Sequence, residues 1–229
     1  MTYVIAEAGI NHNGDINLAK RLAYVSMISG ADAVKFQTFW DMGRLSEYEL
    51  SKEEFVELSE HCKDLSIDFM TTPHTIGSID FVDTLVSVHK IASPFLLDEA
   101  FIKKVASKGK PILLSTGSLS SEDGMASLSD IETALSWLRE SGMDKQTTLL
   151  HCVSKYPCLD PHVERITELE RFGLPVGISD HSKTMEYKQT FPVIEKHIML
   201  HCFSSIDSNV SLYPDEFRYM VNKVRVRDR

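Results

Sequence analysis

The chain has 229 residues, 43% hydrophobic and 25% charged, with 11 Gly and 8 Pro. That mix excludes a disordered or collagen-like polypeptide, and one domain is the expectation at this length. Lys and Arg number 24 against 33 Asp and Glu, and the net charge of −9 argues against nonspecific binding to nucleic acid or an anionic membrane. The apolar runs, such as 111–114, fall far short of a membrane span. The first residues, from Met1 to Glu7, have neither the basic nor the apolar region of a secretion signal, so a cytoplasmic location is expected. Cys62, Cys152, Cys158 and Cys202 form no CxxC pair and read as free thiols rather than a zinc knuckle.

Along the chain, short β-rich apolar segments alternate with longer segments of helical spacing. Strands are expected over 3–8, 33–37, 68–72, 89–93, 112–116, 148–153, 176–179 and 193–197. The first helix, over 17–29, carries Leu18, Leu22 and Val25 and stops at Gly30. The second runs over 51–64, where Ser51 and Glu54 have the spacing of a capping box and Phe55, Leu58 and Cys62 share a face. Further helices are expected over 78–85, 98–108, 130–141, 160–172 and 214–224, with a short polar one over 184–191 ended by Pro192. Eight strand–helix units in this length predict a compact (β/α)8 TIM barrel over residues 1–229. An open doubly wound sheet would carry a glycine-rich phosphate loop after its first strand. The turn from Glu7 to Gly14 has neither GxGxxG nor GxxxxGK[ST].

Barrels of this kind build their sites from the C-terminal ends of the strands. Those ends carry Glu7; Lys35 and Gln37; Thr71, Thr72 and His74; Lys90 and Ser93; Ser115, Thr116 and Gly117; His151, Ser154 and Tyr156; Ser179, Asp180 and His181; Glu195, Lys196 and His197. Lys35 and Gln37 lie two apart and point the same way, as do Glu195 and His197. Lys35 and Lys90 with Ser93, Thr116 and Ser179 make a candidate anion site, since lysine supplies a point charge and hydroxyls supply donors. Ion pairing of the two lysines with Glu7 and Glu195 is the structural alternative, and the two readings are compatible. His181 and His197, from adjacent strands, suit a transition-metal ion. His12, in the first loop, is a candidate substrate contact. His74 and His151 have no assigned role, and His61, His89, His162 and His201 are expected to be structural. Cys152 and Cys158 flank the sixth strand end without a histidine partner in the sequence, so a cysteine nucleophile is set aside. Phe36, Phe39 and Trp40 are expected to pack.

Together the motifs resemble the sialic acid synthase (N-acetylneuraminate synthase) family of bacteria. They are Ile5-Ala-Glu7 through Asn11-His12-Asn13-Gly14; Lys35-Phe-Gln37-Thr38; Phe69-Met-Thr-Thr72-Pro73; Lys90-Ile-Ala-Ser93; Ser115-Thr116-Gly117; Leu150-His-Cys152; Tyr156-Pro157; Gly177-Ile-Ser179-Asp180-His181; Ile194-Glu195-Lys196-His197; and Asp207 followed by Ser211-Leu212-x-Pro214. The resemblance runs from residue 3 to about 217. It implies a transferase of carbohydrate and polysaccharide biosynthesis that condenses phosphoenolpyruvate with an N-acyl amino sugar such as N-acetylmannosamine. It implies a divalent cation on His181 and His197, manganese first, with magnesium or cobalt as alternatives. Lys35, Thr72, Lys90, Ser93 and Ser179 would hold phosphoenolpyruvate, and Gln37, Tyr156 and Asp207 the sugar. Glu7 would act as general base on water, with Glu195 beside the metal and the reacting carbon.

Several positions depart from the family pattern. A chain ending at Arg229 leaves no room for the family's C-terminal antifreeze-like domain, so the barrel alone is expected, with homodimerisation open. Pro94-Phe95 follows Ser93 where the family has glycine and an acidic residue, Ser154 stands for an asparagine, and about five residues are missing before the eighth strand. Two other classes therefore stay open: a barrel that binds phosphoenolpyruvate or a sugar without turnover, and a different aldolase or lyase on the same scaffold.

Overall fold

The computed structural model describes residues 1–39, 47–201 and 204–228. Trp40 and Cys202 lie outside the described residues. Eight parallel strands alternate with helices: β1 (Tyr3–Gly9), β2 (Ala33–Thr38), β3 (Asp68–Pro73), β4 (His89–Ile91), β5 (Ile112–Ser115), β6 (Thr147–Cys152), β7 (Val176–Asp180) and β8 (Val193–His197). They pair in the order β3-β2-β1-β8-β7-β6-β5-β4. The β1–β8 ladder, from Tyr3↔Val193 to Glu7↔His197, joins the first strand to the last. The sheet thus curls into a nearly closed (β/α)8 barrel with its seam between β3 and the short β4.

The helices are α1 (Ile16–Ile28), α2 (Lys52–Asp64), α3 (Ile76–Leu85), α4 (Glu99–Ala106), α5 (Leu128–Glu140), α6 (Ile166–Leu169) and α7 (Pro214–Arg227). Ser51 caps α2 through the expected reciprocal box with Glu54. Their apolar faces cover the outer side of the strands. For example, Leu22 and Ala23 of α1 and Phe101 and Ile102 of α4 join Val4, Val34, Phe36 and Ile91 in one buried core.

Three expectations are corrected. The fourth strand ends at Ile91 rather than residue 93, because the chain turns into a 3-10 turn at Ser93–Phe95 with Pro94 near its start. Residues 160–172 hold no continuous helix. His162 adopts a left-handed backbone conformation (φ 46°), and only α6, between two 3-10 turns, follows. The short helix expected over 184–191 does not form. There Tyr187 turns inward to donate a hydrogen bond to Asp180, its ring edge-on to Phe191.

Strand alternation sorts the interior into layers. The lower layer is apolar: Ile5, Ala33, Met70, Leu113, Leu150 and Val193 form a second core inside the barrel, with Val88 against it. Gly177 supplies the β7 position. A Cβ there would sit 2.5 Å from the Val193 carbonyl oxygen and 2.9 Å from Leu150 Cδ2. Two residues further along each strand come Glu7, Lys35, Thr72, Lys90, Ser115, Cys152, Ser179 and Glu195. Every strand therefore lays one polar or thiol side chain on an apolar floor. Gly177→Ala overpacks that floor and is expected to cost about 1–3 kcal/mol. Thermal denaturation should show a melting temperature lower by about 2–10 °C; an unchanged melting temperature would mean that the floor has slack.

Candidate active site

Above the apolar floor lies a cavity of about 480 Å³. Its wall contains the residues that the family resemblance assigns to phosphoenolpyruvate, sugar, metal and catalysis: Glu7, Lys35, Gln37, Thr72, Lys90, Ser93, Tyr156, Ser179, His181, Glu195, His197 and Asp207. The reason is the strand period: residues separated by two along a strand share the barrel's inner side, so motifs scattered over the whole chain converge.

At the bottom, two lysines and two glutamates are buried together. Lys35 Nζ is in direct ion-pair contact with Glu7 Oε2, lies 3.6 Å from Glu195 Oε2, and donates to Thr72 Oγ1 at 3.1 Å. Lys90 Nζ reaches Glu195 Oε1 at 3.3 Å, and Ser179 Oγ donates to the same oxygen at 2.8 Å. Gln37 Nε2 donates to Glu7 Oε1 at 3.1 Å. The two carboxylates are tuned in opposite directions. Burial, opposed by Lys35 and reinforced by Glu195, pushes Glu7 up to about 7. Glu195 is equally buried, yet Lys35, Lys90 and the Ser179 hydrogen bond hold it down at about 2. Two carboxyls whose surroundings drive them apart are a recurrent signature of an acid–base site.

The two histidines meet one layer higher, their ring centroids 5.4 Å apart. His181 Nδ1 faces the Val153 carbonyl at 2.9 Å, so in the neutral ring Nε2 is the acceptor, 3.0 Å from the Tyr156 hydroxyl. His197 Nδ1 is buried without a hydrogen-bond partner, 3.6 Å from Asp207 Oδ2. Burial, followed by the neighbouring His181 and Lys35, pushes the His197 imidazole well down toward its neutral form, the form that ligates metals. Among the described residues no group of three His, Cys, Asp or Glu side chains could hold an ion unaided. An orphaned imidazole nitrogen beside a second, acceptor-oriented imidazole fits a cation that completes its shell with water and substrate.

Beside His197 and Asp207, at the end of β1, Gly9 takes a left-handed conformation (φ 53°). A Cβ there would sit 3.0 Å from Asp207 Oδ2 and 3.1 Å from Glu7 Oε1, so glycine keeps the gap between them open. Ile10, Phe39, Pro94, Leu119 and Ile206 give the mouth an apolar rim.

Some residues fall elsewhere than expected. Thr116 does not line the cavity; its hydroxyl donates to the Leu150 carbonyl, while Ser115, one residue earlier, faces inward. A one-residue offset reverses the side of the sheet. His12 is buried against Phe36 and lies outside the cavity wall. His151 bonds the Pro161 carbonyl, whereas His74 does line the cavity. Cys152, set aside as lacking a histidine, has its sulfur 3.8 Å from His181 Nδ1. Burial pushes the Cys152 thiol up, but the adjacent His181 outweighs it and draws the thiol down, while His181, which burial lowers, is raised in turn by Cys152 and has its Nδ1 also facing the Val153 carbonyl. Cys158 donates to the Asp160 carbonyl away from the cavity.

Residues 40–228 match the NeuB family. The chain is 36% identical to an uncharacterized protein of Methanocaldococcus jannaschii, over 100% of this chain and 71% of that protein. It is 34% identical to the N,N'-diacetyllegionaminic acid synthase of Campylobacter jejuni, over 98% of this chain and 75% of that enzyme. The crystal structure of the N-acetylneuraminic acid (sialic acid) synthetase of Leptospira borgpetersenii superposes with a TM-score of 0.89 at 31% identity, over 99% of this chain and 84% of that one. Barrel, site and relatives thus define an enzyme of the sugar-acid synthase class. The chain belongs to the NeuB family.

The two glutamates make opposite contributions to stability. Glu7 keeps its proton in the folded state up to about 7, against an ordinary value of 4.5, so its contribution is complete below pH 4.5 and is lost as pH rises toward 7. Glu195 stays ionised down to about 2, so its contribution is present above pH 4.5 and is lost as pH falls toward 2. Urea denaturation across pH 4.5–7 should show Glu7→Gln flattening the decline in stability seen in the parent. An identical slope in both proteins would place the Glu7 proton elsewhere.

Proposed function

We propose that this chain condenses phosphoenolpyruvate with an open-chain N-acyl amino sugar, of the N-acetylmannosamine type, to give a nonulosonic acid and inorganic phosphate. The observation that carries the reading is the buried Lys35–Glu7 and Lys90–Glu195 quartet at the base of a cavity that holds two converging histidines one layer above it. Two lysines already engaged by carboxylates form a site for a ligand bearing both a phosphate and a carboxylate. Thr72, Ser93 and Ser179 add hydroxyl donors at the same level. Gln37, Tyr156 and Asp207 line the wall on the acceptor side.

The roles follow from position and tuning. C3 of phosphoenolpyruvate attacks the aldehyde carbon, forming the new C–C bond, and the aldehyde oxygen becomes a hydroxyl by taking a proton. Positive character then develops at C2, where Glu195, held ionised, provides electrostatic stabilisation. Water adds to C2 as Glu7 accepts its proton, a task suited to a carboxylate tuned near neutrality. The C2–O bond to phosphate breaks, the remaining C2 hydroxyl loses its proton, and the 2-keto group results. A divalent cation held by His181 and His197, manganese in the first instance, would supply Lewis-acid polarisation of the aldehyde.

Phosphate release from phosphoenolpyruvate, measured with manganese and a panel of N-acyl sugars, tests the reading. At least one sugar should give release above background. If phosphoenolpyruvate binds and no sugar gives phosphate, the chain is a binding barrel and the synthase reading fails. Glu7→Gln should lower kcat by about 10²–10⁴-fold. It should also remove the rise in kcat/KM as pH increases through about 7; a retained rise would assign the base to another residue.

A further inference from the structure

Asp180 and Lys196 are the polar residues at the ends of β7 and β8 that the chemistry above does not use. Alternation turns them to the outer side of the sheet, behind the cavity, where both side chains are 0% exposed. Lys196 Nζ contacts Asp180 Oδ2 at 2.8 Å and donates to the Ser182 carbonyl at 2.6 Å. Tyr187 donates its hydroxyl to the same Asp180 oxygen at 2.8 Å, and the Ser182 N–H donates to Asp180 Oδ1 at 2.8 Å. Every charged atom of this network has a partner. A buried ion pair is weak as a source of stability, because desolvation offsets much of the attraction, so what this pair holds in place is the more informative question.

The geometry it fixes is that of the two histidines. The β7–β8 ladder pairs Ile178↔Ile194, Ser179↔Glu195 and Asp180↔Lys196, and it ends there. His181 lies one residue beyond the last pair, and the segment 182–192 that follows contains no helix to anchor it. The network holds both of its neighbours: Asp180 through its side chain, and Ser182 through its N–H and its carbonyl. On the other strand, Lys196 stands between Glu195 and His197.

We propose that the Asp180–Lys196 pair, locked by Tyr187, is the positioning device that sets the His181–His197 spacing and so the cation affinity of the site. This inference rests on the cation-binding reading of those histidines. Outer-shell groups hydrogen-bonded directly to ligating side chains typically change metal affinity about 10–100-fold, and a pair acting through the neighbouring backbone is expected at the low end of that range. Replacing both charges, Asp180→Leu with Lys196→Met, leaves no unpaired buried charge, although the Tyr187 hydroxyl and the Ser182 N–H and carbonyl lose their partners and some stability is lost. Tyr187→Phe deletes a single hydrogen bond and serves where the double variant does not fold.

Manganese titrations of the full chain, its His197→Ala variant, the double variant and Tyr187→Phe, each with a melting curve, provide the first readout. The expected result is tight binding by the parent, loss in His197→Ala, and about 10-fold or greater weakening in the double variant at temperatures below its own cooperative melting transition. Affinity within twofold of the parent in the folded double variant, or in Tyr187→Phe where only that variant folds, would overturn the inference. Absence of manganese binding by the parent would refute the cation reading instead. Crystal structures of the parent and the folded variant then decide the positioning claim on their own. The histidine rings should move from their 5.4 Å separation in the variant. Rings displaced by less than about 0.5 Å would contradict the claim.

Discussion

The site depends on one electrostatic arrangement: two lysines and two glutamates enclosed together on an apolar floor. None of the four would be tolerable there alone, since an unpaired buried charge costs several kcal/mol. Together they are close to neutral, but not symmetrically. Glu195 receives both lysines and the Ser179 hydroxyl, whereas Glu7 has Lys35 and the Gln37 amide. Unequal sharing leaves one carboxylate firmly ionised and the other near neutrality. The floor of Ile5, Met70, Leu113, Leu150 and Val193 matters as much as the charges, because it keeps water from screening them from below.

The barrel was legible in the sequence because its two signals, strand period and helical period, are local. The capping box at Ser51 and Glu54 is a four-residue pattern, and it is where the spacing places it. The site was legible for a related reason: in a (β/α)8 barrel a residue's place along its strand fixes where its side chain converges with the others. That logic carried the site residues into one cavity, and it failed at Thr116, where an offset of one residue moved the expected donor to the outer side. The remaining differences come from contacts distant in sequence. Cys152 approaches His181 only because β6 and β7 are neighbours. Nothing in the 184–191 segment announces that Tyr187 will be drawn onto Asp180 instead of joining a helix.

The outer side of the barrel therefore takes part in the site's construction. Between β7 and β8, where a helix was expected, a fully bonded polar network lies directly behind the paired histidines. The same strands present Ser179, His181, Glu195 and His197 inward and Asp180 and Lys196 outward, so the proposed ligand site and the proposed alignment device share one pair of strand ends.

The central claim is that the lysine–glutamate quartet is an anion site for phosphoenolpyruvate. A crystal structure of the protein with phosphoenolpyruvate bound tests it most directly. The account predicts the ligand's phosphate and carboxylate within hydrogen-bond distance of Lys35 and Lys90, with C2 facing Glu7. Phosphoenolpyruvate bound elsewhere, with the Lys35–Glu7 and Lys90–Glu195 pairs undisturbed, would contradict it.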